Sequence, residues 1–309
     1  MGRQAASILI LGTVLTPAFA FCGGLTHLDR RQEGEVPIST FGYNGVVGPT
    51  VWSQLDANNT LCSTGTNQSP IDMVEGQFTE IPATDIQLNI NDALEGAIFE
   101  NLGTTIEVVM KEVGGTMVLD GVSFTLQQFH FHHPSEHIDD GVSMPMEMHM
   151  VFANEASDIA VIGAYIDLAD SSPLQIIQLI TGRATSSLLE TIFASVGEIA
   201  EPGTETTTSP LIFSELVNFL TTGNSFQRYT GSLTTPPCSE EVSWLVSTSK
   251  LQLSKSTFQT VRDTIGFNSR FPQGILGEPN VLAASGQTGP KAPAEEPAAA
   301  RKSRRTRAL

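Results

Sequence analysis

The chain has 309 residues, 40% of them hydrophobic, and a formal charge of −17. That is enough apolar material for one sizeable core in a single domain. So acidic a body repels nucleic acid and anionic membranes, and neither is an expected partner.

Met1-Gly2-Arg3 leads into an apolar run from Ile8 to Val14, and Ala18-Phe19-Ala20 has the small-x-small form of a signal peptidase site. Residues 1–20 therefore read as a signal peptide, and the chain as secreted. The run is short and is followed by Pro17, unlike a membrane-spanning helix, and nothing downstream supplies one. Asp29-Arg30-Arg31 ends a polar stretch with a dibasic pair. It makes residues 21–31 a candidate propeptide, although a solvated charge pair reads equally well. Cleavage there would remove Cys22 and leave Cys62 and Cys238 as partners in an oxidising compartment. Two separate buried thiols are the alternative. Asn58-Asn-Thr60 and Asn67-Gln-Ser69 are glycosylation sequons, the second weakened by Pro70.

Strands dominate the body. Ile86–Ile90 alternates, Thr105–Met110 and Thr116–Leu119 are short β-branched runs, and Ile159–Ile166 is a continuous apolar run suited to a buried strand. Three helices are expected. One covers Ser187–Val196. A second starts at Ser209-Pro210, ahead of Leu211, Glu215, Leu216 and Phe219. The third covers Ser254–Ile265 and closes at Gly266. There is no internal repeat, so the fold class is mainly β (α+β). It is read as one domain over residues 32–280, built on a large, mostly antiparallel central sheet with short peripheral helices. Residues 281–309 read as a disordered basic tail rich in Ala, Pro and Arg, without the hydrophobic terminus of a lipid-anchor signal.

The chemistry concentrates between Gln128 and Val151, which holds five of the 6 histidines. In an extended strand His130 and His132 share one face while Phe129 and Phe131 take the other. Met146-Glu147-Met148-His149-Met150 repeats the pattern after the turn-rich Asp139-Asp140-Gly141, so an adjacent antiparallel strand can bring His149 beside the first pair. Three neutral nitrogen ligands with an open fourth position describe a catalytic Zn2+ site, and the absence of thiolates argues against a structural one. A histidine beside a phenylalanine is ordinarily a satisfied core or surface residue; the shared phase of all three favours metal. His133 falls on the opposite phase and His137 in the turn, and both are left out of the ligand set.

Gln128-Phe-His-Phe-His132, Ser135-Glu136-His137, Glu147-x-His149 and Ser232-Leu-Thr-Thr-Pro-Pro237, with Gln68-Ser-Pro-Ile71, Trp52 and Trp244, resemble the α-class carbonic anhydrases in order and spacing. The likeness runs from about Phe41 to Pro272, and His132-His-Pro-Ser-Glu-His137 is similar to the bacterial and fungal branch. The resemblance implies a lyase that reversibly hydrates CO2 to bicarbonate and a proton, with Zn2+ on His130, His132 and His149 and hydroxide as nucleophile. It makes Thr234 the gatekeeper that donates to Glu136, and Gln128 and Glu147 the acceptors of ligand N–H protons. Val151, Val161, Leu233 and Trp244 would line the CO2 pocket, each of them equally readable as plain core, and Thr235 would help hold bicarbonate. Tyr43, Tyr229 and Arg228 would support the site, and Cys62 and Cys238 would form the disulfide of extracellular members. Where the fastest relatives carry a proton-exporting His after Asn-x-Gly, this chain has Thr104, which implies slower, buffer-dependent turnover.

Two other classes compete. His130-x-His132-x3-Glu136 fits the first half of a cupin motif that holds iron or manganese, and some relatives that have lost ligands act as binding modules. The oligomeric state is open, a dimer being one option.

Overall fold

The computed structural model describes residues 36–169 and 187–286. The expected signal peptide, the dibasic pair, Cys22 and the tail from residue 287 onward lie outside the described residues. The strands are β1 (Thr79–Pro82), β2 (Ile86–Ile90), β3 (Ile98–Asn101), β4 (Ile106–Val109), β5 (Gly115–Leu119), β6 (Val122–His132), β7 (Ile138–Asp139), β8 (Val142–Ser143), β9 (Met146–Ala153), β10 (Ile159–Leu168), β11 (Glu205–Thr207), β12 (Ser225–Ser232), β13 (Glu240–Ser247) and β14 (Leu251–Leu253). The short helices are α1 (Trp52–Leu55), α2 (Leu61–Thr64), α3 (Ser187–Phe193), α4 (Ser214–Thr221), α5 (Lys255–Ile265) and α6 (Val281–Ala284).

Twelve strands form one sheet in the order β1-β12-β13-β10-β9-β6-β4-β3-β11, with β14 beside β10 and the β5–β2 pair attached to β6. Pairing is antiparallel throughout except where β10 meets β13 and β14 in parallel. β7 and β8 form a separate two-stranded pair, and the expectation of a mainly β fold on one large, mostly antiparallel central sheet holds.

The two faces of the sheet differ in chemistry. On one, Phe129, Phe131, Met148, Met150 and Phe152 join Ile106, Val108 and Ile162 in the main core, under Ile192 and Phe193 of α3, Leu216 and Leu220 of α4 and Val261 of α5. On the other lies a smaller apolar cluster containing Val151, Val161, Tyr229, Leu233 and Trp244. A bulge fixes which residues go where. The β6–β9 register passes from Leu126↔Phe152 directly to Gln128↔Val151, leaving Gln127 as the extra residue. One inserted residue reverses the alternation, so Phe129 and Phe131 enter the main core and Gln128, His130 and His132 share the opposite face.

Three boundaries differ from expectation. The helix expected over Ser187–Val196 ends at Phe193. The helix placed from Pro210 begins only at Ser214. Leu211 instead exchanges two backbone hydrogen bonds with Ala93, each 2.9 Å, and Phe213 N–H donates to Asp92 Oδ1 at 2.8 Å, so tertiary pairing overrides the local cap signal. At the other end, α6 buries Leu282, and packed structure continues beyond residue 280. The third expected helix starts as read: Ser254 Oγ caps α5 by accepting from Thr257 N–H at 3.3 Å, and Gly266, at φ 67°, ends it. Among the described residues no helix is long and apolar enough to cross a membrane.

Candidate metal centre

In the β6–β9 ladder His130 pairs directly with His149, and His132 lies two residues further along the same face. The ring centroids of His130, His132 and His149 are 5.0, 5.3 and 4.5 Å apart, and one nitrogen from each lies within 4.8 Å of the others. All three are buried.

The outer nitrogens define the tautomers. His132 Nδ1 lies 2.9 Å from the Asn268 carbonyl, which can only accept, so the proton sits on Nδ1. His149 Nε2 lies 3.0 Å from Glu147 Oε1, and His130 Nδ1 2.9 Å from Gln128 Oε1. The inner nitrogens are therefore unprotonated, and His132 Nε2 and His149 Nδ1 have no hydrogen-bond partner. Buried lone pairs left unmade in this way cost about 1–3 kcal/mol each unless something takes them up. Burial drives the His132 pKa down to about 4 against the opposing pull of the Asn268 carbonyl. Burial also lowers His149, and puts His130 well below its ordinary value with further help from the neighbouring imidazoles. Neutral imidazole is the form that ligates a metal.

Two further groups face the triad. Glu136 Oε2 lies 3.5 Å from His132 Nε2 and 3.9 Å from His149 Nδ1, while its Oε1 accepts from Arg270 N–H at 2.9 Å. Burial pushes the Glu136 carboxyl up to about 7, with His149, the Arg270 amide and Thr234 pulling the other way. Thr234 is fully buried and close enough to act on that charge, yet its Oγ1 makes no hydrogen bond of normal geometry. Thr234 sits in a tight loop: Leu233 N–H donates to the Ser239 carbonyl, Cys238 N–H donates to the Thr235 carbonyl, and a disulfide joins Cys238 to Cys62.

Val151, Val161 and Trp244 form one cross-strand row over β9, β10 and β13, and Leu233 belongs to the same cluster. The Trp244 ring meets His149 and His137 edge-on, each at 4.8 Å. Tyr229 joins the site through His137: its hydroxyl lies 2.7 Å from His137 Nε2 and 2.8 Å from Ser69 Oγ. Tyr43 packs edge-on against Trp52 and, with Glu136, borders a cavity of about 390 Å³. Thr235 is buried, and Thr104 is buried with its Oγ1 2.8 Å from Ser39 Oγ. Asn58 is exposed and Asn67 half-buried.

Arg228 is a correction. It neighbours Tyr229 on β12 and so points to the opposite face, where it forms a partly exposed ion pair with Asp120. The sequence reading also missed three contributors. His137, assigned to a turn, is fully buried; its Nδ1 donates to Glu147 Oε1 at 2.7 Å and its backbone N–H to Glu147 Oε2 at 2.8 Å. Burial alone would raise Glu147, but His137 and His149 hold it well below the carboxylate range. Asn268 acts through a backbone carbonyl, and Arg270 through its amide. A main-chain group has no side-chain signature, whereas the run Ser135-Glu136-His137 beside two histidines could have flagged His137.

A cupin has a double-sheet jelly roll. One large twelve-stranded sheet, with only a two-stranded β7–β8 pair beside it, and a Glu136 carboxylate tied to the Arg270 amide remove that alternative. A sequence profile described as "Eukaryotic-type carbonic anhydrase" matches residues 47–276. A carbonic anhydrase of Neisseria gonorrhoeae is 36% identical over 206 residues, covering 67% of this chain and 73% of that protein. The fungal α carbonic anhydrase structure from Aspergillus oryzae superposes with a TM-score of 0.73 at 34% identity, covering 81% of this chain and 99% of the other. The α carbonic anhydrase of Thermovibrio ammonificans, solved with the inhibitor sulfanilamide, gives 0.64 at 31% identity, covering 78% and 98%. Sequence, sheet and histidine cluster thus lead to one place: the chain belongs to the eukaryotic-type, or α, carbonic anhydrases, and is an enzyme of that family.

Proposed function

We propose that this chain holds Zn2+ on His130 Nε2, His132 Nε2 and His149 Nδ1 and catalyses the reversible hydration of CO2 to bicarbonate and a proton. The observation that carries this reading is the set of buried, neutral imidazoles whose outer nitrogens are tied and whose inner nitrogens on His132 and His149 have no partner. All-nitrogen, three-ligand sets suit catalytic zinc. When bound, Zn2+ supplies the Lewis acidity that makes hydroxide available near neutral pH, an effect of which carbonic anhydrase is itself the standard example.

The protein's own groups would then do the rest. Gln128, Glu147 and the Asn268 carbonyl fix the tautomers and aim the lone pairs. Thr234 Oγ1 would accept a hydrogen bond from the attacking oxygen and donate its own proton to Glu136 Oε2, leaving a lone pair directed at the carbon of CO2. For that, Glu136 must be ionised, and a dication at the triad favours its ionised form. Val151, Val161, Leu233 and Trp244 would give the uncharged substrate an apolar wall, and Thr235 would help hold the bicarbonate. Tyr43 would support the site from beside Glu136. Thr104 cannot titrate near neutrality, so the proton would leave through water to buffer. Residues 1–20 would act as a leader and residues 21–31 as a removable propeptide, and the Cys62–Cys238 disulfide supports a secreted enzyme.

Metal analysis with stopped-flow CO2 hydration, before and after chelation, tests this. One zinc per chain, activity lost on chelation and restored by Zn2+, and inhibition by sulfanilamide are expected. Purified protein that retains no metal and does not hydrate CO2 when zinc is supplied would make it a binding module instead.

A further inference from the structure

Arg270 is almost fully buried. Its guanidinium donates to three oxygens of one segment: Nη1 to the Ser69 carbonyl at 2.7 Å, and Nη2 to the Cys62 carbonyl at 3.1 Å and to Gln68 Oε1 at 2.9 Å. Its charge also lies 5.7 Å over the Trp52 ring. Burying a cation costs several kcal/mol before its hydrogen bonds are counted. A planar fork that spans several fixed acceptors loses little freedom per bond, so the arrangement holds one geometry.

That geometry bears on the metal centre from two sides. The Arg270 backbone N–H is the donor to Glu136 Oε1, and two residues earlier the Asn268 carbonyl receives His132 Nδ1–H. On the far side of the fork, Ser69 Oγ lies 2.8 Å from the Tyr229 hydroxyl, which leads through His137 to Glu147 and so to His149. The main-chain segment that touches His132 and Glu136 and the polar chain that ends on His149 thus meet at one side chain.

We propose that Arg270 is a positioning residue for this site: its side chain, by clamping Cys62, Gln68 and Ser69, sets the direction of its own amide toward Glu136 and thereby the acceptor that orients Thr234. This rests on the CO2-hydration reading. The amide persists whatever side chain occupies the position, so any effect on Glu136 must pass through the clamp.

Arg270→Met and Arg270→Lys test it in the full-length protein. Lys retains the charge and much of the bulk but cannot span three acceptors with a planar fork. Misplacement by about 1 Å near the chemistry costs up to about 100-fold. Both variants are therefore expected to lose about tenfold or more in kcat per sulfonamide-titrated site, with KM nearly unchanged. In amide NMR of metal-free and zinc-loaded protein alike, the residue-270 N–H should lose the slow exchange that its bond to Glu136 gives the wild type. The inference is overturned if kcat per titrated site stays within twofold, if the Lys variant restores it, or if the residue-270 amide stays protected. Where the Met variant does not fold, the Lys variant decides. Wild-type protein that fails to hydrate CO2 would remove the functional reading while the amide exchange still decides the clamp.

Discussion

Thr234 is the residue on which the proposed chemistry turns, because its buried Oγ1 makes no other hydrogen bond and lies close enough to Glu136 to act on its charge. Thr234→Val keeps the shape and removes the hydroxyl. Loss of one preorganised hydrogen-bonding group at a reacting oxygen typically costs about 100- to 1,000-fold in kcat. We expect a loss of that order in stopped-flow hydration, with zinc content unchanged; equal loss of zinc would point to a structural defect instead. The pH dependence of the metal-free protein belongs to the same residues. His130, His132 and His149 have folded pKa values below 6.5, His132 at about 4, so between these limits the unfolded chain binds more protons than the folded one. Their contribution is present above pH 6.5 and is lost as pH falls toward 4. Glu136, raised to about 7, acts in the opposite sense between about 4.5 and 7, but it is one group against three. Urea unfolding of metal-free protein should therefore show stability falling from pH 6.5 toward 4.5; a flat or rising profile would contradict the burial argument. The histidines were legible in the sequence because the Phe-His alternation carries its own phase. The run Ser135-Glu136-His137 could mark His137 as a candidate, but its partner was not legible, because Glu147 lies on β9 and only folding brings the two together.

The β6–β9 pair does two jobs with alternate residues, so damage to one face should reach the other. Phe131 packs on Phe129 at 5.9 Å and on Phe193 at 4.6 Å in the main core, and its neighbours in the chain are His130 and His132. Phe131→Ala should cost about 3–5 kcal/mol of stability by leaving a cavity. Because the strand carrying two of the proposed ligands loses its backing, zinc affinity should fall as well, measurable by competition with a chromophoric chelator. Unchanged affinity in a destabilised variant would mean that the ladder alone holds the imidazoles. The alternation was readable from composition, but the bulge at Gln127 that sets its phase was not, since nothing in Leu126-Gln127-Gln128 marks which glutamine is extra. The α4 start failed for a similar reason. Ser209-Pro210 is a sound local signal, and it lost to a bridge with Ala93, more than a hundred residues away in sequence.

At the scale of the molecule two contacts tie distant parts of the chain together near the site: the Ser39 contacts with Leu102 and Thr104, and the Cys62–Cys238 disulfide. Ser39 N–H donates to the Leu102 carbonyl and Ser39 Oγ meets Thr104 Oγ1, so the Thr104 hydroxyl is engaged, and it cannot titrate near neutrality. Hydration should consequently rise with buffer concentration until another step limits it; turnover that is high and indifferent to buffer would show an export route through other groups. The Cys62–Cys238 bond joins positions separated by 176 residues. On the chain-entropy model a loop of that length is worth about 5 kcal/mol, less any native strain. It also fastens the end of the loop that begins at Leu233 and Thr234 to the segment gripped by Arg270 through the Cys62 carbonyl. A Cys62→Ala/Cys238→Ala variant should therefore lose stability by several kcal/mol in urea. Below its unfolding transition it should also lose turnover, because Thr234 is no longer fixed. If stability falls while turnover per folded molecule is kept, the hydrogen bonds from Leu233 to Ser239 and from Cys238 to Thr235 hold Thr234 without the covalent link, and the disulfide acts on the unfolded chain alone.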